Sequence, residues 1–414
     1  MAKILHFAWR NLLRYRRRTL LTGSLIALSV VAVLLFVSLS GSFKNLMIGQ
    51  MTDSMLGHLQ VHRRGYVASI DNLPLNLNLQ PGAVTRVEAA LKGVPGVVAW
   101  SPRVKLGAGF TNFQETTSIR LNGIDPEKEA STTPALAKRV SAGDVSKGLV
   151  ARGEVLIPDL LARGMKVSVG DTAVLIATNR DGSVNGKTFV VRGVLEGITG
   201  PGGRDGYLHI DDARELLRMD QPEVSEIVVR LGSLDQLDRA TAAIRSALDD
   251  VKAKDGRPAL EVHTWEALSP FSNIARMIDL MTVSIKVMLV AIVLISIMNV
   301  MVMAVYERIR EIGTLAALGT RPGQILSLFL AESVLLGLVG IAVGAAISVA
   351  AVAVMNVRTV SFAFGRRENL ALRRRSVGEI ATVGAMVLAM AVLAGLHPAW
   401  KASRMDPIKA LRHV

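Results

Sequence analysis

The sequence predicts a membrane all-α protein with four transmembrane helices, joined to a large extracytoplasmic α+β domain that carries a β-rich inserted subdomain. Half of the 414 residues are hydrophobic and 20% are charged, which fits neither a soluble enzyme nor a chain made only of membrane spans. Four apolar runs are long enough to cross a bilayer. Between the first two runs lie roughly 235 residues without a comparable run, enough for a domain with its own core.

Taken in order, this pattern divides the chain into nine predicted segments. They are a cytoplasmic N-terminal helix (1–19), a first span (20–40), the extracytoplasmic domain (41–277, with the insert at about 122–210), a second span (278–304), a short charged segment (305–324), a third span (325–355), an outer loop (356–379), a fourth span (380–396) and a cytoplasmic tail (397–414). Because the charged segment joins two spans, we expect a short helix at the membrane face that can touch a soluble partner.

Basic residues before the first span set the predicted orientation. They are Lys3, Arg10, Arg14, Arg16, Arg17 and Arg18, with no acidic residue among them. The positive-inside rule therefore places this end in the cytoplasm and the large domain outside. The first span is 21 residues long, longer than the apolar part of a signal peptide, so we expect a retained anchor. The outer loop departs from the rule because it is rich in arginine at Arg358, Arg366, Arg367, Arg373, Arg374 and Arg375.

The large domain shows two similar halves around the insert. Each half has the strand, helix, strand order of a β-α-β unit. The first half comprises Gly57–Arg63, Pro81–Leu91 and Val97–Val104, and the second Glu226–Arg230, Leu234–Leu248 and Leu260–Trp265. Within the insert, alternating residues predict strands at Thr172–Thr178 and Thr188–Leu195.

Several function classes are disfavoured. The net charge is +14, but the sequence lacks the motifs of nucleic-acid-binding proteins. The absence of cysteine excludes disulfides and thiolate metal sites. Residues 182–188 miss the first glycine of a phosphate-binding loop and precede a strand, which favours a hairpin turn. His58 and His62 have no third ligand nearby and are expected to be surface histidines. We therefore predict no catalytic, cofactor or metal site in this chain.

Glu332 is an ionisable residue inside the third predicted span. Such a group costs roughly 2.5–3.5 kcal/mol at a helix centre, so it should have a partner. The second span offers Asn299 and Ser296, and bonding to this neighbour is favoured over proton coupling. Further along, Gly340 and Gly344 form a small-residue face for close helix packing.

Separated motifs together resemble the FtsX-like ABC transporter permease family. They are residues 307–313 (E-R-I-R-E-I-G), 317–319 (A-L-G), 331–333 (A-E-S), 397–412 at the end and 9–19 at the start. Residues 157–161, 169–171 and 191–193 are similar to a MacB-like periplasmic core domain. Length and the segment 57–66 make the LolC/LolE lipoprotein-releasing permeases the most similar subgroup.

This resemblance implies a mechanism called mechanotransmission. Two permeases, identical or paralogous, would sit on a dimer of cytoplasmic ABC ATPases, which bind the ATP and Mg. The segment 305–324 would be the coupling helix that passes ATPase motion to the outside domain. Its coupling residues would be Glu307, Arg308, Arg310, Glu311, Gly313, Leu315, Leu318 and Gly319. The four charged residues among them would form its exposed charged face.

The resemblance also implies the cargo and the remaining partners. The chain would be a non-enzymatic permease of the bacterial inner membrane that releases lipoproteins to a periplasmic carrier, in contact with membrane lipid. Apolar residues near the membrane that are expected to be exposed are candidate acyl contacts, with helix packing as the competing interpretation. These residues are Leu46, Met47, Met51, Met55, Phe271 and Met277. Two alternatives stay open: tripartite efflux of small molecules or peptides, and regulation of a cell-wall hydrolase.

Overall fold

The computed structural model describes residues 2–198, 203–253, 255–357, 360–364, 366–370, 377–406, 408 and 410. The chain divides into two compact units. The helical unit comprises Met1–Lys44, Arg276–Ser361 and Asn369–Val414, and the sheet unit comprises Asn45–Ala275 and Phe362–Glu368.

The helices are numbered in chain order. They are α1 (Ala2–Arg14), α2 (Arg16–Met51), α3 (Pro81–Gly93), α4 (Pro126–Thr132), α5 (Asp159–Gly164), α6 (Ile210–Leu216), α7 (Leu237–Leu248), α8 (Trp265–Leu268), α9 (Phe271–Glu307), α10 (Ile309–Ala317), α11 (Pro322–Val357) and α12 (Val377–Ser403). A π-helical turn, Thr52–Leu56, continues α2.

The strands are numbered in the same way. They are β1 (Leu59–Arg63), β2 (Val97–Thr111), β3 (Thr116–Ile124), β4 (Val140–Gly143), β5 (Glu154–Pro158), β6 (Thr172–Thr178), β7 (Val184–Leu195), β8 (Gly206–His209), β9 (Glu226–Leu231), β10 (Leu260–Thr264), β11 (Val360–Phe364) and β12 (Arg366–Leu370).

Four helices in the described ranges are long and apolar enough to cross a membrane. These segments are Thr19–Leu56, Phe271–Glu307, Pro322–Val357 and Gly378–Ser403. Each is longer than its predicted apolar run, because flanking polar residues continue the helix. Together with the sheet unit described below, they confirm the predicted fold class.

The glycines of α11 determine how closely it approaches α2. A Cβ atom at Gly340 would lie 2.5 Å from Ile26 Cγ2, and one at Gly344 would lie 2.8 Å from the carbonyl oxygen of Ala27. Both distances are too short for a real side chain, so only glycine permits this approach. The predicted packing face is confirmed, and α2 is the helix that it meets.

The two predicted β-α-β halves interleave in the sheet unit. Their four strands lie in the order β10-β1-β9-β2, and every neighbouring pair is antiparallel. Within each half the two strands are therefore parallel and separated by one strand of the other half. This is the split β-α-β arrangement of a ferredoxin-like core. Helices α3 and α7 bury Val87, Leu91 and Ile244 in its core.

The insert is hydrogen-bonded into the same sheet. Strand β2 has 15 residues, so its first part pairs with β9 and its later part with β3 and β6. From β3 the sheet continues as β8-β5-β7-β4. Among the described residues this gives one ten-stranded sheet. The β-rich insert is thus an extension of the core sheet.

The hairpin predicted at the failed phosphate-loop match is confirmed. Strands β6 and β7 pair antiparallel from Thr172 with Val190 to Thr178 with Val184. The amide of Asn179 donates to the carbonyl oxygen of Ser183 at 2.8 Å, and Gly182 closes the turn with φ of 86°.

The arginine-rich outer loop is described only in part. Strands β11 and β12 pair as a two-stranded sheet. Arg358, Arg373, Arg374 and Arg375 lie outside the described residues.

Candidate coupling site

A break at Arg308 separates the long helix α9 from the short helix α10. Arg308 has φ of −113° and ψ of 19°, outside the helical region, so the chain turns between the two helices. Helix α10 then buries Ile309, Ile312 and Gly313, the i, i+3, i+4 stripe of an amphipathic helix. Its opposite face and its end are exposed.

The turn between α10 and α11 has a defined end for the first helix and a defined start for the second. Gly319 adopts φ of 85°, and its amide donates to Ala316 while the amide of Thr320 donates to Leu315. These two bonds form a Schellman motif that ends α10. Helix α11 then starts with Pro322 at its first position, where a missing amide is tolerated.

Arg308 points inward and joins three elements. Its Nη1 donates to Glu332 Oε1 of α11 at 2.9 Å, and its Nε donates to Glu311 Oε2 of α10 at 2.8 Å. Asn11 of α1 donates from Nδ2 to the same Glu332 oxygen at 2.7 Å. We call Asn11, Arg308, Glu311 and Glu332 the coupling network, because it links α1, the α9–α10 turn, α10 and α11.

Burial makes this network energetically demanding. The side chains of Arg308 and Glu332 are 8% and 3% exposed. Leaving either charge without its partner typically costs about 3–5 kcal/mol. The Arg308 guanidinium also stands 5.6 Å from the ring centre of Phe329, within the range of a cation–π contact. These contacts tie the α9–α10 turn to α11.

The structure distributes the eight predicted coupling residues over different positions. Glu307, Arg310, Leu315, Leu318 and Gly319 are exposed, and Glu311 is half-exposed. Arg308 and Gly313 are buried. The prediction that Arg308 belongs to the exposed charged face is therefore wrong, because its charge is used inside the protein against Glu332.

The predicted partners of Glu332 are also wrong. Asn299 is exposed, and the Ser296 hydroxyl donates to the Ile292 carbonyl oxygen of its own helix at 2.8 Å. Sequence reasoning missed Asn11 and Arg308 as partners because both lie outside the predicted spans. The available signal was the set of polar residues that flank the apolar runs. Glu332 lies near the start of α11, so polar side chains at the ends of neighbouring spans can reach it.

A second buried charge cluster holds the end of the first membrane helix within the sheet unit. Arg103 of β2 contacts Glu129 Oε1 at 2.5 Å and Glu226 Oε1 at 3.2 Å. Its Nη1 also donates to the carbonyl oxygen of Met55 at 2.6 Å. Met55 belongs to the π-helical turn that continues α2, so this turn is fixed to the sheet. A salt bridge of 2.8 Å from Arg230 to Asp53 fixes it a second time.

The two carboxylates of this cluster remain ionised. Burial alone would raise the pKa of Glu129, but the charge and hydrogen bonds of Arg103 outweigh burial and hold the pKa below its ordinary value. Burial likewise opposes ionisation of Glu226, whereas Lys105 and Arg103 hold its pKa far below the usual range. The cluster therefore keeps its charges at neutral pH.

The expectation of surface histidines is wrong at both positions. His58 and His62 are buried. The amide of Leu231 donates to His58 Nδ1 at 2.9 Å, and the ring of His62 stacks on Tyr66 at 5.2 Å. Burial lowers the pKa of His58, with a further contribution from the charge of Arg230. Among the described residues, no group of three or more potential ligands could hold a metal ion.

Most of the candidate acyl contacts are core residues. Met47, Met51, Met55 and Phe271 are buried in the hydrophobic core of the sheet unit. Leu46 is half-buried and Met277 is 55% exposed. Packing thus accounts for four of the six residues, and the expectation that these four are exposed is wrong.

Comparison with known proteins places this arrangement in a class of membrane proteins. The model of the MacB-like periplasmic core domain matches residues 19–247, and the model of the FtsX-like permease C-terminal matches residues 283–407. The chain is a multi-pass ABC transporter permease of the MacB/LolC/FtsX type. It belongs to the FtsX-like permeases that carry a MacB-like periplasmic core domain.

Relatives with different names match at modest identity. A macrolide export ATP-binding/permease protein MacB from Nitrobacter winogradskyi is 30% identical over 72% of this chain, and the chain spans only 45% of its length. A lipoprotein-releasing system transmembrane protein LolC from Neisseria meningitidis is 23% identical over 94% of this chain and 92% of its own. A pyoverdine export ATP-binding/permease protein PvdT from Pseudomonas fluorescens is 26% identical over 98% of this chain and 58% of its own length.

Among solved structures, the extracellular domain of the transporter YknZ from Gram-positive bacteria matches 50% of this chain and 99% of its own, at 16% identity and a TM-score of 0.33.

Proposed function

We propose that the chain is the permease subunit of a mechanotransmission transporter that releases lipoproteins from the inner membrane. A separate cytoplasmic ATPase dimer would bind ATP and Mg and drive it. A second permease, either another copy or a paralogue, would complete the membrane part. The large domain would lie in the periplasm and would pass its cargo to a periplasmic carrier.

The observation that carries this proposal is the two-sided geometry of α10. Its exposed face and end present Arg310, Leu315 and Leu318, the last of which is 79% exposed. These side chains could enter a groove on a soluble partner. The inner side of α10 is attached to α11 through Arg308 and Glu332. A displacement of α10 by the ATPase would therefore be transmitted to α11 through this ion pair.

The two long helices would carry this motion onward. Met47 and Met51 of α2, and Phe271 and Ala275 of α9, are buried in the core of the sheet unit. The clamp of Arg103 on Met55 fixes the end of α2 to strand β2. Both helices can therefore act as levers on the sheet unit, while the four spans need not form a channel.

Lipoprotein as cargo is supported by the extent of the match to LolC. That match covers 94% of this chain and 92% of the relative, so it includes both membrane and sheet portions. The matches to the MacB and PvdT relatives cover only 45% and 58% of those proteins.

Substitution of Leu318 tests the docking of the ATPase. We expect Leu318→Glu to abolish co-purification of the ATPase, because a charge would replace the apolar contact at the exposed end of α10. The matched control is Leu160→Glu, which places the same charge at a 51% exposed leucine of the sheet unit. Both variants should insert and fold normally. Undiminished ATPase binding by Leu318→Glu would refute this role of α10.

The cargo itself can be identified directly. The chain would be purified with its ATPase in the absence of ATP, and acylated proteins that remain bound would be identified by mass spectrometry. We expect lipoproteins that leave the complex when ATP is added. A complex free of acylated protein before ATP addition would count against lipoprotein release.

Efflux of small molecules or peptides is the second candidate. The 30% identity with a macrolide export protein, higher than the 23% with LolC, favours it. An ATP-dependent fall in cellular macrolide or siderophore content, with unchanged lipoprotein release, would select this function.

A further inference from the structure

An apolar groove lies where α1 and α2 meet α11 in the helical unit. Its volume is about 310 Å³. Trp9 and Leu13 line it from α1, Leu20 and Gly23 from α2, and Val339 and Val343 from α11. The groove is open at the side, and several of its lining side chains are themselves exposed.

The two hydroxyl groups that line the groove both donate their hydrogen bonds to the protein's own backbone. Thr19 Oγ1 donates to the Leu12 carbonyl oxygen at 2.9 Å, and Ser24 Oγ donates to the Leu21 carbonyl oxygen at 2.8 Å. Both hydroxyls are therefore used within the protein. A groove of this kind does not hold ordered water and favours a hydrocarbon occupant.

The rim of the groove is positively charged. The chain has no acidic residue before Asp53, whereas Arg10, Arg16 and Arg17 are exposed beside the groove-lining segments. The Nε of Arg16 donates to the carbonyl oxygen of Leu13 at 3.3 Å, which holds its guanidinium at the edge. Arginine clusters at the end of a membrane helix attract anionic headgroups, and guanidinium groups bind phosphate oxygens well.

We infer that this groove holds one acyl chain of an anionic phospholipid of the surrounding membrane, with the phosphate at Arg16 and Arg17. A second copy of the chain would fill an apolar groove without needing a basic rim, so the charge favours lipid. The site would fasten α1, which carries Asn11 of the coupling network, to the membrane surface. The inference does not depend on the transported cargo.

Filling the groove tests the acyl site. A Cβ atom at Gly23 would meet no other atom within 4 Å, so Gly23→Leu places its side chain in the groove without displacing the fold. The matched control is Gly41→Leu, also on α2 and equally unobstructed. The full chain is purified, incubated with phosphatidylglycerol, and examined by native mass spectrometry. We expect Gly23→Leu to retain at least about fivefold less lipid than the unaltered chain, because the acyl chain loses its contacts with the groove wall. Gly41→Leu should retain the lipid fully.

Charge removal tests the headgroup. Arg16→Gln with Arg17→Gln should lower the preference for phosphatidylglycerol over phosphatidylcholine by about fivefold for each arginine. The control, Arg257→Gln with Arg276→Gln, removes the same charge at exposed positions that do not line the groove and should keep the preference.

Three results would overturn the inference. One is full lipid retention by Gly23→Leu. Another is equal retention of phosphatidylcholine and phosphatidylglycerol by the unaltered chain. The third is a change of oligomeric state in Gly23→Leu at unchanged lipid content, since it would assign the groove to a second copy.

Discussion

Arg308 and Glu332 form a buried ion pair that joins the break between α9 and α10 to α11. The sequence alone required a partner for the intramembrane carboxylate of Glu332. It did not reveal that Arg308, on the other side of a helix break, would supply it at 2.9 Å. The break arises from the backbone angles of Arg308, and no local motif in the sequence encodes them. The need for a pair was therefore predictable and its geometry was not.

A double-mutant cycle separates the stability of this pair from its role in coupling. We expect Arg308→Met to lower the free energy of unfolding by about 3–5 kcal/mol, because it leaves the buried carboxylate of Glu332 without a positive partner. Glu332→Leu should lower it by less, because Arg308 keeps its ion pair with Glu311. The double variant should be more stable than Arg308→Met, since no unpaired buried charge remains at this pair. Thermal unfolding of the purified chain in detergent measures this order.

Transport provides the second measurement of the cycle. We expect ATP-driven transport to be lost in the double variant even though its stability recovers, because the link between α10 and α11 is gone. Full transport by a stable double variant would show that the pair serves folding alone.

At the scale of elements, local periodicity predicted more than long-range pairing. The strands and helices of the two β-α-β halves occur close to their predicted positions because alternation and helical stripes are local properties. The interleaved order β10-β1-β9-β2 depends on residues up to about 200 positions apart in the chain, such as Leu59 and Thr264, and does not follow from periodicity. The buried pair of Arg103 and Glu226 was also missed, because its two residues lie on strands that are distant in the chain.

The available signal was a charged residue within an otherwise apolar strand, which indicates a buried charge with a partner.

The contact of α11 with α2 gives a prediction at this scale. Gly344→Val should lower the thermal unfolding temperature and the yield of folded chain, because its side chain would collide with backbone of α2 at Ala27. Overpacking of this kind costs about 1–3 kcal/mol. Gly41→Val is the control, since a Cβ atom there meets nothing within 4 Å. Equal stability of the two variants would mean that α2 and α11 do not pack closely.

At the scale of the whole molecule, coupling requires that α10 and the sheet unit lie on opposite sides of the membrane. The orientation rests on the arginines before the first span, and the arginine-rich outer loop opposes them. A lever mechanism fails if α10 faces away from the compartment that supplies ATP. The orientation is therefore the condition on which the residue and element arguments jointly depend.

The absence of cysteine from the sequence makes this orientation directly measurable. Leu160→Cys marks the sheet unit and Leu318→Cys marks the end of α10, and both positions are exposed. With the inner membrane intact, a membrane-impermeant maleimide should label Leu160→Cys from the periplasmic side and should label Leu318→Cys only after membrane disruption. Val33→Cys, at a buried position of α2, should stay unlabelled throughout. The reverse pattern would place the ATPase and α10 on different sides, and force from ATP could then not reach the sheet unit through the coupling network.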